Sequence, residues 1–169
     1  MTVYIGLTRA VNVAGQKLLM SDLRAIADDL GLKHARTYIA SGNLLFSSAK
    51  SERRLKSEIE AALEKHMGKS VGVMIRTTDE MRAVVAANPF PKGGKSAVAI
   101  FLDSAPPASA IDDTRNIADE EVALGKREIY VHCPSGIGRS KLRIPAAANG
   151  TARNMTTVKK LAEMAEEMA

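Results

Sequence analysis

The sequence predicts an α+β fold, and three observations lead to that prediction. Apolar residues alternate with a period of two in several short segments and recur with a helical period in the segments between them. Over residues 2–75 this gives the order βαββαβ, and a related pattern begins again at residue 77. No linker or low-complexity segment is long enough to separate independent domains. We therefore expect two tandem ferredoxin-like halves, residues 1–76 and residues 77–169 with the C-terminal helix, packed into one globular unit.

The elements of the first half follow from strand alternation and from residues that cap helices. Strands are predicted over four segments: 2–7, 35–40, 43–48 and 71–75. Ser21 and Ser51 can cap the two helices, which are expected to end at Gly31 and Gly68. The tripeptide Ser41-Gly42-Asn43 has turn chemistry, so the second and third strands are expected to form a hairpin.

The second half is predicted to be less regular. Thr77 and Glu80 form a capping box that starts its first helix, and Asn154 is expected to cap its last. Strands are predicted over three segments: 97–102, 120–124 and 127–133. Residues 104–115 are expected to form a loop with a short helix, and residues 146–150 a connector.

The composition bears on the cellular compartment. The 169 residues contain one cysteine, which excludes an intramolecular disulfide and favours a reducing environment. The opening residues lack the basic start and apolar length of a signal peptide, and no run approaches the roughly 20 apolar residues of a membrane span. We expect a cytoplasmic protein with no membrane partner, and the sequence leaves open whether it forms an oligomer.

Charge and histidine spacing bear on partners and cofactors. The formal net charge of +5 permits an anionic partner without identifying one. His34, His66 and His132 lie far apart and have no second cysteine to join them, so no metal-ligand spacing is present. We expect neither a metal nor another cofactor.

The segment 128–141, EIYVHCPSGIGRSK, resembles the signature loop of the cysteine-dependent phosphatases. Such an enzyme would use a thiolate at Cys133 to attack phosphorus, while Arg139 holds two phosphoryl oxygens. Backbone amides released by Gly136 and Gly138 would surround the phosphate. A helix starting near Ser140 would stabilise both negative charges.

Strand parity favours a structural role for the cysteine instead. Ile129, Val131 and Cys133 share one apolar face, where a free cysteine usually acts as a small buried hydrophobe. Pro145 stops any helix soon after the loop, and the chain has no tryptophan for a mobile acid-bearing loop. Three aspartates remain candidates for a general acid in the catalytic alternative: Asp112, Asp113 and Asp119.

Five segments in order resemble one known family. They are LTRAVNVAG after the first strand, TYIASGNLLF in the first hairpin, NPFP, GIGRSKL and TARNMTTVKKL. Together they are similar to the uncharacterised family named domain of unknown function 1697. The resemblance implies a fold of two ferredoxin-like halves and no established activity. It does not require a cysteine in the late loop, so it implies that Cys133 is incidental there.

Polar residues on the predicted loops and element ends form the candidate ligand-binding set. They are Arg9, Asn12, Ser41, Asn43, Gly136, Gly138, Arg139, Ser140, Lys141, Arg153 and Asn154. If loops 9–15, 41–43 and 136–141 converge, cationic groups and backbone amides would form an anion pocket. The alternative is that the arginines pair with carboxylates and the asparagines satisfy turns and caps.

Three functions follow as hypotheses. The first is a binding module for a phosphate-bearing or other anionic small molecule, with no established catalysis. The alternative is a cysteine-dependent phosphatase using Cys133, Arg139 and Asp113, so the question of enzymatic activity stays open. An RNA-binding module is the second alternative. The sequence argues against it because the third strand has a single aromatic, Phe46, and lacks the basic-glycine-aromatic pattern of such modules, while Tyr4 adds at most one stacking platform; both side chains favour packing.

Overall fold

The computed structural model describes residues 1–9, 18–39 and 42–169. The predicted site residues Asn12 and Ser41 lie outside the described residues, as does most of the loop predicted over 9–15. All statements below concern the described part of the chain.

These residues form two compact units. The first consists of Met1–Met81 with Leu161–Ala169, and the second of Arg82–Lys160. Each contains one four-stranded antiparallel sheet. The predicted α+β fold with two halves is therefore confirmed, whereas a domain boundary after residue 76 stays a prediction.

The first unit has the predicted order βαββαβ. Its elements are β1 (Thr2–Thr8), α1 (Met20–Asp29), β2 (Lys33–Thr37), β3 (Asn43–Ser48), α2 (Glu52–Met67) and β4 (Val73–Thr77). The strand order in the sheet is β2-β3-β1-β4. Strand β2 thus ends at Thr37 and not at the predicted residue 40, and β4 begins at Val73, two residues later than predicted.

The two helices of the first unit pack against one face of its sheet. Leu23 of α1 and Leu63 of α2 belong to the same buried cluster as Tyr4, Phe46 and strand residues of β4. Tyr4 and Phe46 are paired across β1 and β3, and their rings stack with centroids 5.8 Å apart. Both aromatic side chains are buried, so this sheet offers no base-stacking platform through them.

The caps of these helices are partly as predicted. Ser51 accepts a hydrogen bond from the Arg54 amide at 3.2 Å, and Gly68 ends α2 in the left-handed conformation. The expectation for Ser21 is wrong, because it lies inside α1. The carboxylate of Asp22 instead accepts a hydrogen bond from the Leu19 amide at 3.3 Å and so stabilises the start of that helix.

The second unit repeats the strand order of the first. Its strands are β5 (Ala97–Phe101), β6 (Glu121–Leu124), β7 (Glu128–His132) and β8 (Thr151–Asn154), in the order β6-β7-β5-β8. Helices α3 (Thr78–Ala86) and α4 (Met155–Met168) precede and follow these strands in the chain. The capping box of Thr77 and Glu80 and the cap by Asn154 are both observed.

No α-helix joins β5 to β6 or β7 to β8. The short helix expected within 104–115 is absent, because the backbone there forms successive turns. The second connection contains only 3₁₀ turns, at Ile137–Arg139 and Pro145–Ala147. Apolar residues from both connections pack with the sheet in one cluster, including Ala110, Leu142, Ile144, Ala146 and Ala147.

Strand β8 follows the predicted connector 146–150 and ends at the predicted helix cap Asn154, where the sequence analysis predicted no strand. Its four residues pair with β5, with Arg153 opposite Ala99. Thr151 and Arg153 are buried and Ala152 is exposed, so the burial alternates although the sequence is largely polar. None of the helices among the described residues has the length and apolar character needed to cross a membrane.

Candidate functional site

A cavity of about 460 Å³ lies in the second unit. Two segments form its wall: the end of the connection before β6 and the glycine-bearing loop after β7. The lining residues are Asn116, Ala118, Asp119, Glu120, Cys133, Ser135, Gly136, Arg139, Ser140 and Lys141. Six of the residues singled out from the sequence thus share one cavity: Asp119, Cys133, Gly136, Arg139, Ser140 and Lys141.

The glycine-bearing loop folds back on itself after β7. The Gly136 amide donates to the Cys133 carbonyl at 2.9 Å, and Gly136 has φ of 97°, which favours glycine. The amides of Arg139 and Ser140 donate to the carbonyls of Gly136 and Ile137 at 3.3 and 3.2 Å. These three amides are satisfied within the loop, so they are not available to hold a phosphate.

The helix expected near Ser140 is also absent. Residues Ile137–Arg139 form one 3₁₀ turn, and Ser140 is already extended. The Arg143 amide then donates to the Arg115 carbonyl at 2.9 Å, in an isolated β-bridge between the two connections. No helix N-terminus follows the loop to stabilise a thiolate or a phosphate.

Two consecutive carboxylates connect the two walls of the cavity. Ser135 Oγ donates to Asp119 Oδ2 at 2.5 Å, and Ser140 Oγ donates to Glu120 Oε2 at 2.7 Å. The remaining oxygen of Glu120, Oε1, accepts the Ala118 amide at 2.8 Å. The hydrogen bond from Ser140 and then the backbone amides lower the pKa of Glu120, so this carboxyl is ionised at neutral pH.

Cys133 lies at the inner wall of the cavity. It is buried and packs with Ile129 and Val131, as strand parity predicted. Burial raises the pKa of its thiol, a hydrogen bond with Ser140 opposes that rise, and the charges of Glu120 and Asp119 add to it. The thiol is therefore protonated at neutral pH, whereas a phosphatase nucleophile needs the thiolate.

Two cations lie at the exposed part of the wall. Arg139 and Lys141 are both exposed and both line the cavity. Within the described ranges neither side chain forms an ion pair or a hydrogen bond. Their charges are thus available to a ligand.

Other members of the predicted ligand set lie elsewhere and are engaged in the fold. In the first unit, the Arg9 amide donates to the Gly72 carbonyl, and buried Asn43 donates through Nδ2 to the Tyr38 carbonyl at 2.8 Å. In the second unit, buried Arg153 donates to Thr151 Oγ1 at 2.7 Å. The contact of Asn43 matches the structural alternative for the asparagines, whereas this contact of Arg153 is with a hydroxyl group and not with the carboxylate expected for the arginines.

The remaining predicted residues do not line the cavity. Asn154 caps α4 by accepting the Thr157 amide at 2.9 Å, and Gly138 is exposed beside the lining residues. Asp113, the proposed general acid, is exposed in the turn before the cavity segment. Asp119 is the aspartate that the fold places at the wall.

Asn116 and Glu120 are lining residues that the sequence reasoning missed. Asn116 has φ of 58°, a left-handed conformation that asparagine tolerates better than most residues. An asparagine within a polar segment was a signal for such a turn. Glu120 had no comparable signal, because its partner Ser140 lies 20 residues later.

A second cavity, of about 330 Å³, lies in the first unit between α2 and the start of β4. Its carboxylate Glu60 accepts hydrogen bonds from Lys56 Nζ and from the Val73 amide, both at 2.9 Å. The charge therefore fixes the β4 backbone. Across the described residues, no three histidine, cysteine, aspartate or glutamate side chains are grouped to hold a metal ion.

The fold and the cavity define an α+β protein with two antiparallel sheets of equal strand order and a mixed-charge cavity in its second unit. The chain belongs to the family Protein of unknown function (DUF1697), whose sequence model matches residues 1–130. The match includes three of the five segments that carried the resemblance and ends before the glycine-bearing loop.

A solved structure has the same fold over nearly the whole chain. It is a conserved bacterial protein, SP0830, from Streptococcus pneumoniae, with a TM-score of 0.81 and 23% sequence identity. The similarity covers 98% of this chain and 99% of that one. At this identity the comparison establishes the fold. A comparison with curated proteins finds no match.

Proposed function

We propose that this protein is a ligand-binding module whose site is the cavity between residues 116–120 and 133–141. The observation that carries the proposal is the pair of exposed cations, Arg139 and Lys141, which line that cavity without forming an ion pair in the described structure. A guanidinium and an ammonium are the side chains that bind phosphate or carboxylate groups best. The ligand is therefore a phosphate-bearing or other anionic small molecule.

The cavity size supports a small ligand. A volume of about 460 Å³ falls in the range of roughly 300–1,000 Å³ found for small-molecule sites. The protonated thiol of Cys133 and the absence of an α-helix directly after the loop among the described residues favour binding over phosphoryl transfer. The unpaired, buried cysteine also supports our proposal of a cytoplasmic location, since reducing compartments preserve such thiols.

Isothermal titration with inorganic phosphate and propyl phosphate tests the proposal. Arg139→Ala and Lys141→Ala should each weaken binding, by about tenfold if one charge-assisted contact is lost. Arg53→Ala and Lys126→Ala are matched controls, because both residues are exposed and lie outside the lining. The controls should bind like the unmodified protein.

Binding that is equal in Arg139→Ala and Arg53→Ala would contradict the proposed site. Absence of binding by both probes would contradict the proposed function. Raising the salt concentration should weaken binding in the unmodified protein more than in Lys141→Ala, because screening acts on charge pairs.

A further inference from the structure

We propose that the ligand of this cavity carries a cationic group, such as an amine, in addition to its anionic group, and that Asp119 binds the cationic group. This inference rests on the proposed function and specifies its ligand class. The site would thus select small zwitterions over simple anions.

Asp119 has hydrogen-bonding capacity that its neighbour lacks. Both oxygens of Glu120 are occupied, one by Ser140 and one by the Ala118 amide. Asp119 is exposed and uses Oδ2 to accept from Ser135, whereas its Oδ1 has no hydrogen-bond partner in the described residues. One carboxylate oxygen at the cavity wall is therefore available to a donor.

The opposite charges of the cavity are not paired with each other. Asp119, Arg139 and Lys141 line the same space, yet no ion pair joins them within the described structure. A ligand with only negative charge would gain from the two cations and lose from the nearby carboxylate. A ligand with both charges can satisfy both sides of the cavity.

The hydrogen bond from Ser135 prepares the carboxylate for this role. It fixes one oxygen of Asp119 and so limits the rotation of the side chain. A carboxylate held in this way loses less conformational entropy when it accepts a hydrogen bond from an ammonium group. Bonds of this kind, between two charged groups, are about twice as strong as neutral ones.

Two probes of matched shape test the inference: 3-aminopropyl phosphate and propyl phosphate, which differ in the amine. We expect the unmodified protein to bind the amine-bearing probe about tenfold more tightly in isothermal titration, as one charge-assisted contact would provide. Asp119→Asn keeps an acceptor for Ser135 and removes the charge, so it should abolish that preference: the amine-bearing probe loses its contact, and propyl phosphate binds at least as tightly as before because a nearby negative charge is gone. Asp113→Asn, the same change outside the lining, should leave the preference intact.

The outcomes separate the inference from the proposed function. Equal binding of the two probes, with Arg139→Ala weakening both, would overturn the zwitterion inference and leave the anion site standing. A preference that Asp119→Asn does not change would also overturn it. Absence of binding by both probes would overturn the proposed function and this inference together. Thermal unfolding of each variant establishes that it is folded.

Discussion

The two sheets of this protein have the same strand order and are covered by different means. In the first unit the connections across the sheet are helices α1 and α2, whereas in the second both are irregular segments, 102–120 and 133–150. Each covering layer contributes apolar residues to a cluster with its own sheet. The same strand order is therefore compatible with a covering layer of helices and with one of irregular segments.

The difference shows where a cavity can form. A helix satisfies its backbone groups internally and presents a continuous apolar face, so it packs closely on a sheet. An irregular segment needs partners outside itself for its backbone groups, as in the backbone bridge between Arg115 and Arg143. Here the side chains of Asp119 and Glu120 also connect the two segments by accepting from Ser135 and Ser140. The polar residues that connect the two segments also form the wall of the cavity.

The largest expected effect tests whether the helical cover packs more tightly. Leu63 belongs to α2, and its side chain has 0% exposure. Leu63→Ala should therefore cost roughly 2–5 kcal/mol of unfolding free energy. Leu142→Ala, in the irregular cover, removes a half-buried side chain and should cost about 1 kcal/mol, because less apolar area returns to water. Urea unfolding followed by circular dichroism measures both.

Equal costs for the two leucine substitutions would break the comparison. They would mean that the irregular segments pack on their sheet as tightly as the helices do. A smaller cost for Leu142→Ala than for Leu63→Ala would support the comparison. The irregular segments of the second unit would then depend on polar contacts to stay ordered on their sheet.

A smaller effect is expected from the backbone of the glycine-bearing loop. Gly136→Ala places a side chain at φ of 97° and ψ of 143°, a region that only glycine occupies easily, and should cost about 1–3 kcal/mol. No atom lies within 4 Å of the added methyl group, so the cost is conformational. Gly138→Ala is the matched control with equal space and no positive φ, and it should unfold near the unmodified urea midpoint. Equal midpoints for both variants would contradict the strained turn.

The sequence allowed most of the first unit to be predicted because its elements are locally encoded. Helix α2 has its serine cap, its apolar period and its terminal Gly68 within one segment. The error at Ser21 is local too, since the helix begins at Met20 and Asp22, the residue after Ser21, accepts from the amide of Leu19 just before the helix. The capping residues predicted correctly that helix α1 begins in this segment, but they placed its first residue after Ser21, whereas it begins at Met20.

The second unit was less predictable because its structure depends on residues distant in sequence. Strand β8 has four residues, most of them polar, so it shows too little alternation to be recognised. Cys133, Gly136 and Arg139 of the glycine-bearing loop were identified from their spacing. The Glu120–Ser140 hydrogen bond spans 20 residues with no periodic signal, so half of the cavity wall emerged only from the fold.

The smallest expected effect concerns pH and the connection made by Glu120. Because hydrogen bonds lower the pKa of this carboxyl in the folded protein, its contribution to stability is present above its ordinary pKa of 4.5. The contribution is lost as the pH falls through the lowered folded pKa. Glu120→Gln should therefore reduce the urea midpoint at about pH 6, and the difference from the unmodified protein should shrink toward about pH 3.

The same substitution at Glu163 separates this connection from a general effect of charge. Glu163 is exposed on α4, and Glu163→Gln removes the same charge outside the cavity wall. Hydrogen exchange should be faster in residues 133–141 of Glu120→Gln and unchanged there in Glu163→Gln. Glu120 accepts from both Ser140 and the Ala118 amide, and the glutamine amide has one acceptor oxygen for these two donors and no charge. A pH-independent difference, or equal exchange in both variants, would show that the Glu120 connection does not order the irregular cover.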